Sequence, residues 1–104
     1  MERTRKPEDL KSLLGTAVVL DVRRESDYAP SHEVVPGSAW RNPEQIDGWL
    51  AEVPRDRDVV IYCVRGGSVS NSVLDRLQAA GVQARYIEGG IEGWKAAGGE
   101  VVSK

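Results

Sequence analysis

Cys63 is the residue in this sequence whose position most directly predicts chemistry. The five residues that follow it are rich in glycine, and they are Val64, Arg65, Gly66, Gly67 and Ser68. Two glycines allow a loop to curl so that its backbone amides turn inward and form a binding site for an anion. A helical pattern follows, and its amino end adds to the positive potential, as does Arg65. Because such a site stabilises a thiolate, we predict that Cys63 is a nucleophile.

Two other interpretations fit this loop when it is considered alone. A lone cysteine is often a buried, inert residue that packs like a small hydrophobic side chain. A Gly-Gly loop before a helix is also compatible with a phosphate cradle in which the cysteine is incidental. The position of Cys63 at the end of a predicted strand, before the loop and a helix, favours the nucleophile.

The elements that must hold this loop are strands alternating with helices. The hydrophobic pattern predicts strands over residues 17–22, 38–40, 58–63 and 84–87, and helices over 7–14, from 42 onward, 68–80 and 91–97. Residues 23–37 are predicted to form a long loop with a turn of helix. This order predicts one domain, residues 1–104, with a three-layer α/β fold. Its central sheet is mainly parallel and is flanked by helices on both faces, with ligands bound beyond the carboxyl ends of the strands.

Composition limits the partners and the compartment that we expect. The 104 residues include 14 Lys and Arg against 16 Asp and Glu, so net charge gives no argument for nucleic acid or a membrane as a partner. The apolar runs are too short to span a bilayer, and the charged beginning of the sequence predicts no secretory signal. A single Cys excludes an internal disulfide, and with a single His it argues against a metal site. We therefore expect a cytoplasmic protein without a metal.

Four motifs in order resemble those of single-domain rhodaneses, a family of sulfurtransferases. They are Leu20-Asp21-Val22-Arg23 with Asp27-Tyr28, His32 leading to Val35-Pro36-Gly37-Ser38-Ala39, Val60-Ile61-Tyr62-Cys63 with its loop, and Tyr86-Ile87-Glu88-Gly89-Gly90-Ile91-Glu92-Gly93-Trp94. The resemblance extends from about residue 6 to residue 102. Ser31 stands where the family usually has Gly, and about two extra residues follow His32. These departures resemble the rhodanese modules associated with bacterial chromate-resistance proteins.

Most candidate residues outside the loop are predicted to support the structure rather than to take part in chemistry. Asp21 and Arg23 are predicted to form a polar pair at a strand end that supports the site. His32 is predicted to fasten a loop by hydrogen bonding rather than to act as a base, and Arg24 is expected on a solvated face. Arg41 follows a predicted strand end and is therefore a candidate for the substrate pocket.

The resemblance implies a thiosulfate sulfurtransferase that works through a persulfide on Cys63 without a cofactor. Its substrates would be a sulfur donor such as thiosulfate and an acceptor such as cyanide, a thiol or an acceptor protein. The longer-loop phosphatases of the family have an Arg six positions after the cysteine, whereas this sequence has Val69 there. A non-enzymatic alternative is a module that docks a partner or senses oxidants, although the sequence contains no second, resolving cysteine.

Overall fold

The computed structural model describes residues 3–104 and contains seven strands and five α-helices within that range. The strands are β1 (Thr4–Arg5), β2 (Val18–Asp21), β3 (Glu33–Val34), β4 (Ala39–Trp40), β5 (Val59–Tyr62), β6 (Ala84–Ile87) and β7 (Val102–Ser103). The helices are α1 (Pro7–Leu13), α2 (Glu25–Tyr28), α3 (Ile46–Trp49), α4 (Ser68–Ala79) and α5 (Gly90–Ala96). No helix in this described range is long and apolar enough to cross a membrane.

The central sheet has five strands in the order β1-β6-β5-β2-β4, and every neighbouring pair is parallel. This arrangement confirms the predicted α/β fold with a mainly parallel sheet. The pairing of β2 with β5, in which Asp21 lies opposite Tyr62, brings the two strand ends to the same edge. A separate antiparallel pair, β3 with β7, forms partly within the segment predicted as a loop.

The side chains of β5 point alternately to the two faces of the sheet, and a separate hydrophobic core lies on each face. Val59, Ile61 and Cys63 belong to the core on the side of α3 and α4, whereas Val60 and Tyr62 belong to the core on the side of α1 and α5. All four strand residues are buried, as expected for a central parallel strand covered on both faces. The helices on both faces confirm the predicted three layers, and the side chain of Cys63 packs on the α4 face.

The helix predicted from residue 42 is broken into three short turns. Asn42 caps the first turn, because its side chain accepts a hydrogen bond of 3.0 Å from the amide of Glu44. The turns are a 3-10 helix at Pro43–Gln45, α3, and a second 3-10 helix at Leu50–Glu52. The backbone departs from helical geometry at Gln45, with φ −115° and ψ 27°, and at Trp49, with φ −123° and ψ −9°, and these departures separate the three turns.

Candidate active site

Cys63 directly follows β5 and is almost completely buried, with 5% of its surface exposed. Its Sγ accepts a hydrogen bond of 3.2 Å from the backbone N–H of Gly66. Gly66 has a positive φ of 70°, the conformation that turns this amide back toward the sulfur. Within residues 3–104 no other group donates to Sγ, so the loop presents one amide to the thiol itself. The predicted ring of amides from residues 64 to 68 remains a prediction for the larger persulfide.

The first turn of α5 holds the loop in place from behind. The amides of Ile91 and Glu92 donate to the carbonyls of Cys63 and Val64, at 2.9 and 3.1 Å. Gly90 leaves no room for a side chain here, since a Cβ on it would meet the Cys63 carbonyl oxygen and lie 2.5 Å from that of Val64. The backbone of this turn and the backbone of the cysteine loop are therefore in direct contact.

A shallow cavity of about 190 Å³ opens beside the thiol, and we call it the Cys63 cavity. It is lined by Arg24, Asp27, Cys63, Val64, Arg65, Gly67, Ser68 and Val69. Two guanidinium groups and one carboxylate thus surround the mouth, and all three side chains are exposed. The cavity combines a recessed sulfur with a positive entrance, which suits a small anion.

Sequence reasoning missed Arg24 and Asp27, which lie in and beside α2. Arg24 is exposed, as expected, and it also lines the same cavity as Cys63. The parallel pairing of β2 with β5 explains this position, because the segment after β2 leaves the sheet next to the cysteine loop. No local sequence signal identifies these residues, because the adjacency of β2 and β5 is a property of the folded sheet.

Arg41 does not line the Cys63 cavity. It borders a different cavity of about 70 Å³ with neighbours that include Leu20 and Trp49. The physical reason is the strand order: Arg41 follows β4, which lies at the sheet edge, and β2 separates that strand from β5. The geometry of the Cys63 cavity gives no support to the place of Arg41 in the substrate pocket, which stays a prediction.

Asp21 and Arg23 form a buried ion pair at the end of β2. Their side chains are 0% and 3% exposed, and Arg23 Nη2 lies 2.7 Å from Asp21 Oδ2. Arg23 Nε donates to both carboxylate oxygens at 3.0 Å, so the pairing is bidentate. Burial lowers the pKa of Arg23, but the hydrogen bond and charge of Asp21 outweigh it and raise that pKa above its ordinary value.

The same guanidinium reaches outward to the loop that follows α2. Arg23 donates to the Ser31 hydroxyl at 3.1 Å and to the Glu33 carbonyl at 3.0 Å. The imidazole of His32 is exposed and makes no hydrogen bond to any residue that the structure describes; its backbone carbonyl accepts from the amide of Lys104. The loop is therefore fastened through Arg23, Ser31 and backbone groups rather than through the His32 side chain.

Ser68 and Ser70 begin α4 but have different surroundings. Ser68 is exposed and lines the Cys63 cavity, while Gly67 takes the N-cap position without a side-chain cap. Ser70 is completely buried, and its hydroxyl has no hydrogen-bond partner in the described part of the chain. Of the two serines, Ser68 is the one placed to contact a ligand.

Together, the parallel α/β fold and the thiol at the head of its glycine loop define a domain built around one recessed cysteine. The family model that matches is the rhodanese-like domain, over residues 6–97. The chain belongs to the rhodanese-like domain family, as its motifs predicted. Membership of this family indicates sulfur transfer as the general chemistry.

Known proteins of several sizes resemble the chain. It is 36% identical over 69 residues to the tRNA 2-selenouridine synthase of Shewanella frigidimarina, which is 66% of this chain and 18% of that protein. A rhodanese-related protein from Thermoplasma volcanium superposes with a TM-score of 0.84 at 24% identity, covering 96% and 97% of the two chains. A thiosulfate sulfurtransferase from Pseudomonas aeruginosa gives 0.80 at 26% identity, covering 98% of this chain and 19% of that one. The chain thus spans only about a fifth of the first and third of these proteins.

Proposed function

We propose that this chain moves a sulfane sulfur from thiosulfate, or a similar donor, to a nucleophilic acceptor through a persulfide on Cys63. The observation that carries the proposal is the Gly66 amide, 3.2 Å from the buried Sγ, at the bottom of a cavity with two guanidinium groups. The Gly66 amide places a hydrogen-bond donor against the reacting sulfur, and the two arginines attract an anionic substrate. The similarity to a thiosulfate sulfurtransferase supports the choice of donor.

In the first half-reaction, the Cys63 thiolate attacks the outer sulfur of thiosulfate. A bond forms between Sγ and that sulfur, and the bond from the outer sulfur to the sulfonate sulfur breaks. The electron pair of the broken bond leaves with sulfite, so the enzyme keeps a persulfide anion and no proton is required. Covalent catalysis of this kind divides one transfer into two steps.

In the second half-reaction, an acceptor attacks the terminal sulfur of the persulfide. With cyanide, carbon bonds to sulfur, the S–S bond breaks, and its electron pair returns to Cys63 as a thiolate while thiocyanate departs. The persulfide extends one sulfur further into the cavity than Sγ does, so the amides of residues 64 to 68 become its candidate donors. Fixed donors of this type stabilise a charged intermediate without reorganisation.

A phosphatase function is not supported by the residues of the loop. Val69 is half-buried, packs against the α4 core and occupies the position where a phosphatase of this family has its clamping Arg. We therefore expect no hydrolysis of an aryl phosphate above background. Hydrolysis that is lost in Cys63→Ser would contradict this expectation.

The experiment that tests the proposal is turnover of thiosulfate and cyanide, followed as thiocyanate. Wild-type protein should turn over, and Cys63→Ser should be inactive, because the substitution removes the nucleophile with little change in volume. Arg57→Ala is a suitable control, since Arg57 contacts the Thr16 carbonyl at the other end of the strands. Absence of turnover in the wild type would favour the docking or redox-sensing alternative.

A further inference from the structure

Asn71, near the beginning of α4, places two hydrogen bonds on one carbonyl of the cysteine loop. Its side-chain Nδ2 donates to the carbonyl oxygen of Gly67 at 3.1 Å, and its backbone amide donates to the same oxygen at 3.2 Å. The backbone bond is the ordinary first bond of the helix, whereas the side-chain bond is additional. Gly67 lines the Cys63 cavity, so Asn71 holds part of the cavity wall without lining the cavity itself.

Arg3 fixes the orientation of the Asn71 side-chain amide. Its Nη2 donates to Asn71 Oδ1 at 3.1 Å and lies 2.9 Å from Asp75 Oδ1. Because Oδ1 accepts from a guanidinium, the Nδ2 donor is the end of the amide that faces Gly67. Arg3 itself is tied to the sheet, since its carbonyl accepts from the amide of Tyr86 in β6 at 3.0 Å. A path of hydrogen bonds thus leads from the edge of the sheet to the cysteine loop.

The bonds to the Gly67 carbonyl also set the direction of the next amide, that of Ser68. The described range contains no cis peptide bond, and in a trans peptide the C=O and the N–H point in opposite directions. The Gly67 carbonyl points along α4 toward Asn71, so the Ser68 N–H points out of the beginning of the helix, where the Cys63 cavity lies. This N–H is one of the unpaired donors of the first turn, and it donates to no group within residues 3–104.

The N-cap of α4 does not hold this peptide through a side chain. Gly67 occupies the position, where Ser, Thr, Asp or Asn would normally accept from an amide of the first turn. Apart from the Cys63 sulfur, Asn71 supplies the one side-chain hydrogen bond to the backbone of residues 64–68 in the described part of the chain. Loss of the Nδ2 bond would therefore halve the number of bonds on this carbonyl while the helix still begins at Ser68.

The direction of the Ser68 amide matters once Cys63 carries a second sulfur. The thiol receives the Gly66 amide at 3.2 Å, but the terminal sulfur of a persulfide extends one bond further into the cavity, whose wall includes Ser68. We propose that Asn71 is a positioning residue that aims the Ser68 amide at the terminal sulfur of the persulfide. Arg3 keeps the Asn71 amide in the orientation that this requires. The inference rests on the proposed persulfide chemistry and adds to it a residue that acts from outside the cavity.

The equilibrium of the first half-reaction measures this role, because it compares thiolate plus thiosulfate with persulfide plus sulfite. Mass spectrometry of protein equilibrated with defined thiosulfate and sulfite concentrations gives the ratio of the two enzyme forms. Asn71→Ala should shift this equilibrium about tenfold toward the unloaded enzyme, the effect of losing one well-aimed hydrogen bond to a charged group. The rate at which iodoacetamide alkylates the unloaded Cys63 should change less than about twofold, because the Gly66 amide stays in place.

Asn71→Asp separates positioning from stability. It keeps the shape of asparagine and an oxygen that accepts from Arg3, but neither oxygen can donate to the Gly67 carbonyl. A carboxylate near the beginning of a helix interacts favourably with the helix dipole, so the urea midpoint should not fall. The persulfide equilibrium should nevertheless shift about tenfold, as in Asn71→Ala. Ser72→Asp is the matched control, because it adds the same charge at an exposed position on the same turn and should shift the equilibrium less than about twofold.

Arg3→Ala tests the path from the sheet. It removes the contact to Oδ1 and should shift the equilibrium about threefold, and the double variant with Asn71→Ala should be no worse than Asn71→Ala alone. Additive shifts would contradict this path. A wild-type equilibrium in both Asn71 variants, or an equal shift in Ser72→Asp, would overturn the role of Asn71 while the persulfide of the wild type stands. If the wild type carries no persulfide at any ratio of thiosulfate to sulfite, the proposed function fails and this inference fails with it.

Discussion

The backbone amide of Ile91 donates a hydrogen bond of 2.9 Å to the carbonyl of Cys63, so the first turn of α5 is joined directly to the cysteine loop. Gly90 makes this contact possible, because its φ of 61° and its missing side chain let the two backbones meet. The geometry of the thiol thus depends on a turn almost 30 residues further along the chain.

Gly90→Ala should lower both stability and activity. The new Cβ would lie 2.5 Å from the Val64 carbonyl oxygen in a backbone conformation that L-residues avoid. We expect a loss of about 2–3 kcal/mol in the free energy of unfolding in urea, with a lower kcat for thiocyanate formation. Gly48→Ala is the control, since a Cβ there has nothing within 4 Å and that glycine lies in a helix. If Gly90→Ala leaves both the free energy of unfolding and kcat unchanged, the contact between Gly90 and the Val64 carbonyl does not hold the loop in place.

Arg65→Ala and Arg24→Ala should each raise the KM for thiosulfate about fivefold to tenfold. Both guanidinium groups are exposed at the cavity mouth, where they attract a dianion over several ångströms. Added salt should weaken the wild type more than either variant, because part of this attraction is screened. Arg41→Ala serves as the control, since Arg41 lines another cavity. Unchanged KM and salt dependence in both variants would remove these residues from donor binding.

Arg23→Ala should be strongly destabilising, by about 3–5 kcal/mol, because it leaves the carboxylate of Asp21 buried without its partner. The neighbouring Arg24→Ala should change the free energy of unfolding by less than about 0.5 kcal/mol, because that side chain is exposed. Chemical denaturation of the two variants measures the contrast directly. Similar stabilities would mean that the ion pair contributes little to this fold.

Ionisation of Tyr62 should lower the free energy of unfolding at high pH. Burial, and after it the charge of Asp21, raises the pKa of the Tyr62 phenol above its ordinary value. The folded protein therefore holds this proton more tightly than the unfolded chain does. The contribution of this proton to the free energy of unfolding is complete below about pH 10, the ordinary pKa of tyrosine. It is lost as the pH rises toward the higher pKa of Tyr62 in the folded protein.

Tyr62→Phe provides the matching measurement for this pH dependence. The phenol hydroxyl accepts from the Val35 amide at 3.3 Å and shares a hydrogen bond of 2.9 Å with Ser38. At neutral pH the variant should be about 1 kcal/mol less stable than the wild type. The difference should shrink as pH rises above about 10, whereas a constant difference would contradict the raised pKa.

Much of this architecture was predictable because its signals are local. Cys63 was placed at the carboxyl edge of the sheet by three local features: the apolar run of β5, the Gly-Gly loop and the helix after it. The parallel sheet was predicted from the alternation of strands and helices. Arg24 and Asp27 were not predictable in this way, because strand order rather than nearby sequence brings them to the thiol. Strand order also sets Arg41 beside a different cavity, because β2 separates β4 from β5.

The two-residue strands were also outside the reach of local patterns. β3 and β7 lie about 70 residues apart, and nothing in either dipeptide specifies that they pair.

The persulfide on Cys63 is tested by the mass of the intact protein after incubation with thiosulfate, without any acceptor. We predict that the wild type gains the mass of one sulfur atom, that fragmentation places this sulfur on Cys63, and that cyanide removes it. Cys63→Ser should show no gain, while Arg57→Ala should match the wild type. A wild-type protein that turns over thiosulfate without ever carrying the extra sulfur, or that carries it at a residue other than Cys63, would contradict the persulfide mechanism.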